Sequence, residues 1–243
     1  VVVGILAVGL TLVILTAGID LSVGSVVGLT GVAMAVSFPV VGFWPGLFIG
    51  LATGAFVGFI NGVIIEKGQV AAFIVTLGML SIARSLTYIG SGARSIINLP
   101  SELPSIALAM IGPLPVNVIF LLVLYAFTYW VLTYTKMGRS LYAIGSNPEA
   151  ARIAGLPVSR YRIGVYVSSG ALCACAAAFL AGRIRSVDPT SGTGLELDAI
   201  AAVVIGGTSL FGGRGSIVGT LFGVIIMVCI RNGLNLLGID PYW

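Results

Sequence analysis

An all-α integral membrane protein, a polytopic helical bundle with broken or re-entrant helices, is the fold class the sequence predicts. Three observations predict it. Of 243 residues, 58% are hydrophobic and 8% charged, with a mean hydropathy of +1.14, whereas a soluble domain carries about 25% charged residues to make its polar skin. Uncharged runs at 1–19, 21–65 and 103–135 match or exceed the roughly 20 apolar residues of a spanning helix. The 34 glycines are spread through nearly every run, and small residues let membrane helices approach closely. Runs this long also exclude a barrel of alternating strands.

Taken in order, residues 1–19 are the first predicted crossing. The 21–65 run is long enough for two, split by the Phe38-Pro39 and Trp44-Pro45-Gly46 breakers. Further crossings are predicted at 68–90, 116–134, 161–182 and 215–231, with a shorter apolar piece at 199–206. About seven crossings and a half-helix are expected, in one transmembrane domain over 1–243. No Met precedes Val1 and the chain stops at Trp243 in a polar turn, so both ends are expected to be cut.

Orientation follows from the cations. Lys136, Arg139, Arg152, Arg160 and Arg162 face one acid, Glu149, across a loop at 136–162, the excess expected of a cytoplasmic segment. The stretch from Arg183 to Asp198 balances Arg183 and Arg185 against Asp188, Glu196 and Asp198 and reads as external. Counting back places 91–115 and Phe38 to Pro45 outside and Glu66-Lys67-Gly68-Gln69 inside. Gly18-Ile19-Asp20 then lies at or below the midplane, toward the cytoplasm.

The chain has no histidine, which removes histidine-ligated metals and Ser-His or Cys-His nucleophiles. Cys173, Cys175 and Cys229 sit in apolar runs and read as small buried hydrophobes. No Gly-x4-Gly-Lys-Ser/Thr motif is present. Neither a catalytic residue nor a metal ligand is expected.

Within the basic loop, Ser146 to Pro157 has the grammar of one short helix at 148–154. Asn147 is an N-cap, Pro148 suits the first helical position, Glu149 favours the positive end of the dipole, and Gly155 with Pro157 stops the helix. Such a stiff basic knob either docks to a partner or is a plain connector held by positive charge, and spacing alone leaves both open.

Asp20 is the only acidic or basic side chain before Glu66, and a charge inside a membrane segment needs a reason. Gly18 is expected to break one helix and Asp20 to cap the next, taking the amides near Ser22 and Val23. The same unwound segment, Gly18 to Ser25, is a candidate lining of a solute path, because irregular backbone at that depth is tolerated only against protein or a wet cavity. Gly18, Asp20, Ser22, Gly24, Ser25, Asn61 and Thr76 are the candidate pathway residues, and their polar groups have the alternative of bonding a neighbouring helix. Gly24-Ser25-Val26-Val27-Gly28 is echoed by Gly215-Ser216-Ile217-Val218-Gly219, each opening a helix. The pair is inverted if 199–206 is re-entrant and parallel if that piece crosses.

Gly138-Arg139-Ser140-Leu141-Tyr142-Ala143-Ile144-Gly145-Ser146-Asn147-Pro148-Glu149-Ala150-Ala151 resembles the EAA-type coupling loop of bacterial ABC importer permeases of the ribose, xylose and galactose group. Thr16 to Ser25, Ala72 to Gly78, Glu196 to Leu210 and Asn232 to Gly238 are similar to further blocks of that family in the same order. The resemblance spans essentially the whole chain. It implies a multi-pass permease subunit of the bacterial inner membrane that moves a monosaccharide, paired with a second copy. Cytoplasmic ATP-binding subunits and an external sugar-binding protein are the implied partners, with membrane lipid around them and no nucleic acid. ATP would act in the partner subunit, leaving this chain without a cofactor. The helix at 148–154 would be the coupling helix, with Asn147, Pro148, Glu149, Ala150, Ala151, Arg152 and Gly155 as the ATPase contact. Arg183 and Glu196 are candidates for external docking, since charge pairs commonly join such partners. Family members usually carry a further helix at each end. The alternative, an ion-coupled secondary transporter using Asp20, has only that one membrane acid to work with, where proton pumps usually show several.

Overall fold

The computed structural model describes residues 1–238. Helix α1 (Val2–Leu15) is apolar all round and buried along nearly its whole length, as a helix without a polar face must be. It ends in a turn in which Ala17 adopts φ 60°. The amides of Ala17 and Gly18 close back on the carbonyls of Ile14 and Val13, a Schellman arrangement. The left-handed residue is therefore Ala17, and not the expected breaker Gly18. Gly18 is small for a different reason: a Cβ there would lie 2.6 Å from the Tyr166 hydroxyl.

Helix α2 (Val23–Val41) runs through Pro39 and stops at Gly42, whose φ of 86° reverses the chain. Helix α3 (Phe43–Gly68) begins at once, with Trp44, Pro45 and Gly46 in its first turn. The predicted breakers are thus helical: Pro45 lies in a first turn, where a proline costs no hydrogen bond, Pro39 lies inside the last turn of α2, and the break itself falls at Gly42. Helix α4 (Ala72–Ser91) buries only Thr76, Met79, Ala83 and Thr87, one stripe at helical spacing. A short outer segment holds α5 (Glu102–Ala107) and the hairpin β1 (Met110–Ile111) and β2 (Leu114–Pro115). Helix α6 (Val116–Tyr134) returns to the basic side, followed by α7 (Lys136–Ser146) and α8 (Pro148–Ile153). Helix α9 (Val158–Ile184) then crosses, and α10 (Leu195–Ile205) and α11 (Ile217–Leu236) complete the described chain.

The centre of the bundle is α9. Its backbone meets that of α3 at Gly170 against Gly54, Tyr166 against Gly58 and Ile163 against Gly62, where a Cβ on Gly62 would lie 2.8 Å from the Ile163 Cα. Small residues every four positions make that approach possible.

Six described helices are long and apolar enough to cross a membrane: α2, α3, α4, α6, α9 and α11. The expected count of about seven is not confirmed by these six; α1, a further apolar helix of 14 residues beginning at Val2, packs in the same bundle. Helix α10, with 11 residues, is about 16 Å long. One face collects Lys67, Lys136, Arg139, Arg152, Arg160, Arg162 and Arg214 against Glu66 and Glu149, which marks it as the inner side. The loop at 206–216 lies on that same face: Gly213 abuts Ser146, and Tyr142 donates to the Gly215 carbonyl at 2.9 Å.

Candidate functional site

On the inner face, the Asn147 side chain accepts from the Ala150 amide at 3.0 Å, Pro148 opens α8, and Gly155 leaves it at φ 82°. Ala151 packs in a small separate cluster with Ile144 and Val158. Asn147, Glu149, Ala150, Arg152 and Gly155 remain exposed. So does Ile153, at 89%, an apolar tip absent from the sequence reading. Glu66, at the end of α3, reads from sequence only as part of an inner turn. Its side chain, 4% exposed, accepts from Arg152 at 3.3 Å, Ser159 at 2.9 Å and Arg162 at 3.3 Å. A cavity of about 460 Å³ lies beside this cluster, bordered by Thr16, Gly18, Glu66, Arg152, Arg162 and Tyr166.

Above that cavity, the turn between α1 and α2 holds the candidate pathway residues. One Asp20 oxygen accepts both the Ser22 amide, at 2.9 Å, and the Ser22 hydroxyl, at 2.6 Å. It takes no amide from Val23, so it forms a turn just ahead of α2 and does not cap that helix in the expected way. Asn61 donates to the Ser22 oxygen at 3.0 Å, and Ser25 donates to the Ser22 carbonyl at 2.8 Å. The Thr76 hydroxyl lies 2.9 Å from the Ala72 carbonyl and 3.3 Å from that of Ile19. Asp20, Ser22, Ser25, Asn61 and Thr76 are each 3% exposed or less. Within this chain they bond one another and neighbouring backbone, and of the seven candidates only Gly18 borders the inner cavity. Ser169 of α9 faces the same cluster with its hydroxyl unpaired, as is the Asn61 carbonyl oxygen.

The predicted external pair separates. Arg183 is exposed at the outer end of α9. Glu196 is not at the outer surface: the connection from α9 descends along α2, with Val187 against Gly31, Ser191 against Gly28 and Glu196 against Gly24. Helix α10 therefore starts inside the membrane layer. Glu196 accepts from the Gly194 amide at 3.3 Å, and its other oxygen is buried without a partner. Asp198, in the first turn of α10, pairs with Arg231 of α11. In the connection between α9 and α10, outside the spanning helices, Ser95 donates to Asp188 at 2.6 Å and Thr190 adds two further bonds. These donors hold the Asp188 carboxyl below the ordinary carboxylate range.

Compared with known proteins, residues 1–243 match the family model described as branched-chain amino acid transport system / permease component. The chain is 44% identical to the ribose import permease protein RbsC of Escherichia coli (strain K12), over 98% of this chain and 76% of that one. It is 42% identical to the fructose import permease protein FrcC of Rhizobium meliloti, over 100% of this chain and 70% of the relative. Against the autoinducer 2 import system permease protein LsrC of Enterobacter sp. (strain 638) the identity is 38%, over 98% and 70%.

Proposed function

The chain belongs to the branched-chain amino acid transport system / permease component family, and on that premise we propose that it is the permease subunit of an ATP-driven importer that moves a monosaccharide across the bacterial inner membrane. It is a transport component and not an enzyme. The observation that carries the sugar is the identity of 40–44% to import permeases named for ribose and fructose. Hydrolysis of ATP belongs to cytoplasmic partner subunits, so this chain needs no cofactor.

The coupling contact is the exposed face of α8, with Glu149, Ala150 and Arg152 presented between Asn147 and Gly155. Support for it is physical: a helix of six residues capped by Asn147 and packed on Val158 of α9 is stiff, as a lever needs to be. A second permease copy completes the pathway, and an external binding protein delivers the sugar near the outer end of α9, where Arg183 is exposed.

Uptake of labelled ribose, fructose, xylose and galactose into proteoliposomes carrying the permease, its ATPase and its binding protein tests the reading. Accumulation should need internal ATP and survive an ion uncoupler. Loss of uptake on adding the uncoupler, with ATP held constant, would reverse it.

A further inference from the structure

Glu66 joins three elements that the membrane topology alone does not require to touch. Its carboxylate is nearly sealed from solvent, and its donors come from α8 (Arg152) and from the first two turns of α9 (Ser159 and Arg162). Apart from these bonds, α8 is held by the small apolar cluster of Ala151, Ile144 and Val158 with partly buried Leu156 and Tyr161. It is bounded by an extended residue at Asn147 and a left-handed one at Gly155. A body so lightly attached swings about its ends unless something ties it to the bundle, and Arg152 on Glu66 is that tie.

What lies beyond Glu66 is stiff. Helices α3 and α9 meet backbone to backbone at Gly54 and Gly170 and at Gly58 and Tyr166, so a displacement at the end of α3 carries α9 with it. Arg162 and Tyr166 are four residues apart on one face of α9. The Tyr166 hydroxyl reaches the Ile19 carbonyl at 3.5 Å and overlies Gly18. The inner cavity fills the space between Arg152 and this turn, which leaves room for relative motion. Arg162 also keeps a buried, unpartnered Nε beside it.

We infer that Glu66 is a positioning residue for coupling: it clamps α8 to the α3 and α9 pair and passes displacement of α8 to the Gly18 turn. The inference rests on α8 being the ATPase contact. Contiguity of packed groups makes such a route physical, and a measured coupling establishes it.

The test uses the assembled importer, with its ATPase and binding protein, in proteoliposomes, and reads ATP hydrolysed per sugar taken up. Glu66→Gln removes the charge at constant size, and Glu66→Ala removes every bond to the clamp without touching the exposed face of α8. In each variant the complex should co-purify intact and the ATP-to-sugar ratio should rise about fivefold or more, the lower range of a typical coupling. A purely structural role lowers hydrolysis and uptake together and leaves the ratio unchanged, which overturns the inference. Glu149→Ala with Gly155→Ala provides the separating arm. If that variant uncouples while Glu66→Gln and Glu66→Ala keep the wild-type ratio, Glu66 is not the clamp and α8 remains the contact. If no variant moves the ratio, the reading of α8 fails as well.

Discussion

Asp20 survives at membrane depth because its neighbours supply what water would have supplied. Asn61 donates to Ser22, and Ser22 donates through both its amide and its hydroxyl to a single Asp20 oxygen. Asp20→Asn keeps an acceptor oxygen at that place and should leave folding intact, with uptake near wild type because the carboxyl is buried against its Ser22 donors. Asp20→Leu strands both Ser22 donors, at roughly 1–3 kcal/mol for each buried group left unpaired, and should lower the melting temperature and the yield of assembled protein. Folded Asp20→Asn protein with abolished uptake would show that the carboxyl itself meets the solute. The glycines divide as sharply. A Cβ at Gly58 runs into the Tyr166 carbonyl, while one at Gly78 meets nothing within 4 Å. Gly58→Ala should therefore cost about 1–3 kcal/mol by forcing α3 from α9, and Gly78→Ala should add up to about 1 kcal/mol of helix propensity. Thermal unfolding in detergent ranks the two, and equal effects would contradict the packing argument.

Among the elements, α8 was legible because its signals are local: an Asx cap, a proline at the first position and a glycine at φ 82° lie within nine residues of one another. Glu66 was not, since its partners stand 86, 93 and 96 residues further along, and nothing in a lone acid beside Lys67 announces them. The break after α1 was half legible: Asp20 and Gly18 marked the place, but the left-handed residue is Ala17, a type with no preference for that conformation. The outer connection between α9 and α10 makes a prediction of its own. It is pinned to the 92–99 segment by the Ile96 and Val187 backbone pair and by Ser95 on Asp188. The Asp188 carboxyl titrates lower in the folded chain than in the unfolded one, so its contribution is complete above the unfolded value and fades as pH falls through the lower, folded one. Amide protection at Ile96 and Val187, corrected for intrinsic exchange, should hold from neutral pH down to about 4 and drop below it. In Asp188→Asn the acidic step should vanish. A step that persists in this variant assigns the change to another group.

At the scale of the whole molecule, the echo between Gly24 to Gly28 and Gly215 to Gly219 acquires a direction. Loop 206–216 lies on the basic face beside α7, so α11 runs outward, as does α2, whose far end meets α3 at Gly42. The two segments are parallel, and α10 completes a crossing that the connection from α9 begins. Sequence periodicity held no information on this, because 11 apolar residues fit either a half-turn back or a partial crossing. The same hairpin places charge at depth. Gly206 packs on Gly219 and Ala202 on Gly223, which puts Asp198 about two turns above the inner end of α10, where Arg231 reaches it from α11. Hydrocarbon charges about 2.5–3.5 kcal/mol for a lone ion near its centre, so each partner keeps the other tolerable. Asp198→Leu or Arg231→Leu alone should lower stability by roughly 1–3 kcal/mol. The double substitution should cost less than the sum, because no ion is then left unpaired. A thermal double-mutant cycle in lipid nanodiscs measures the difference, and strictly additive losses would mean that the two helices hold together without the pair.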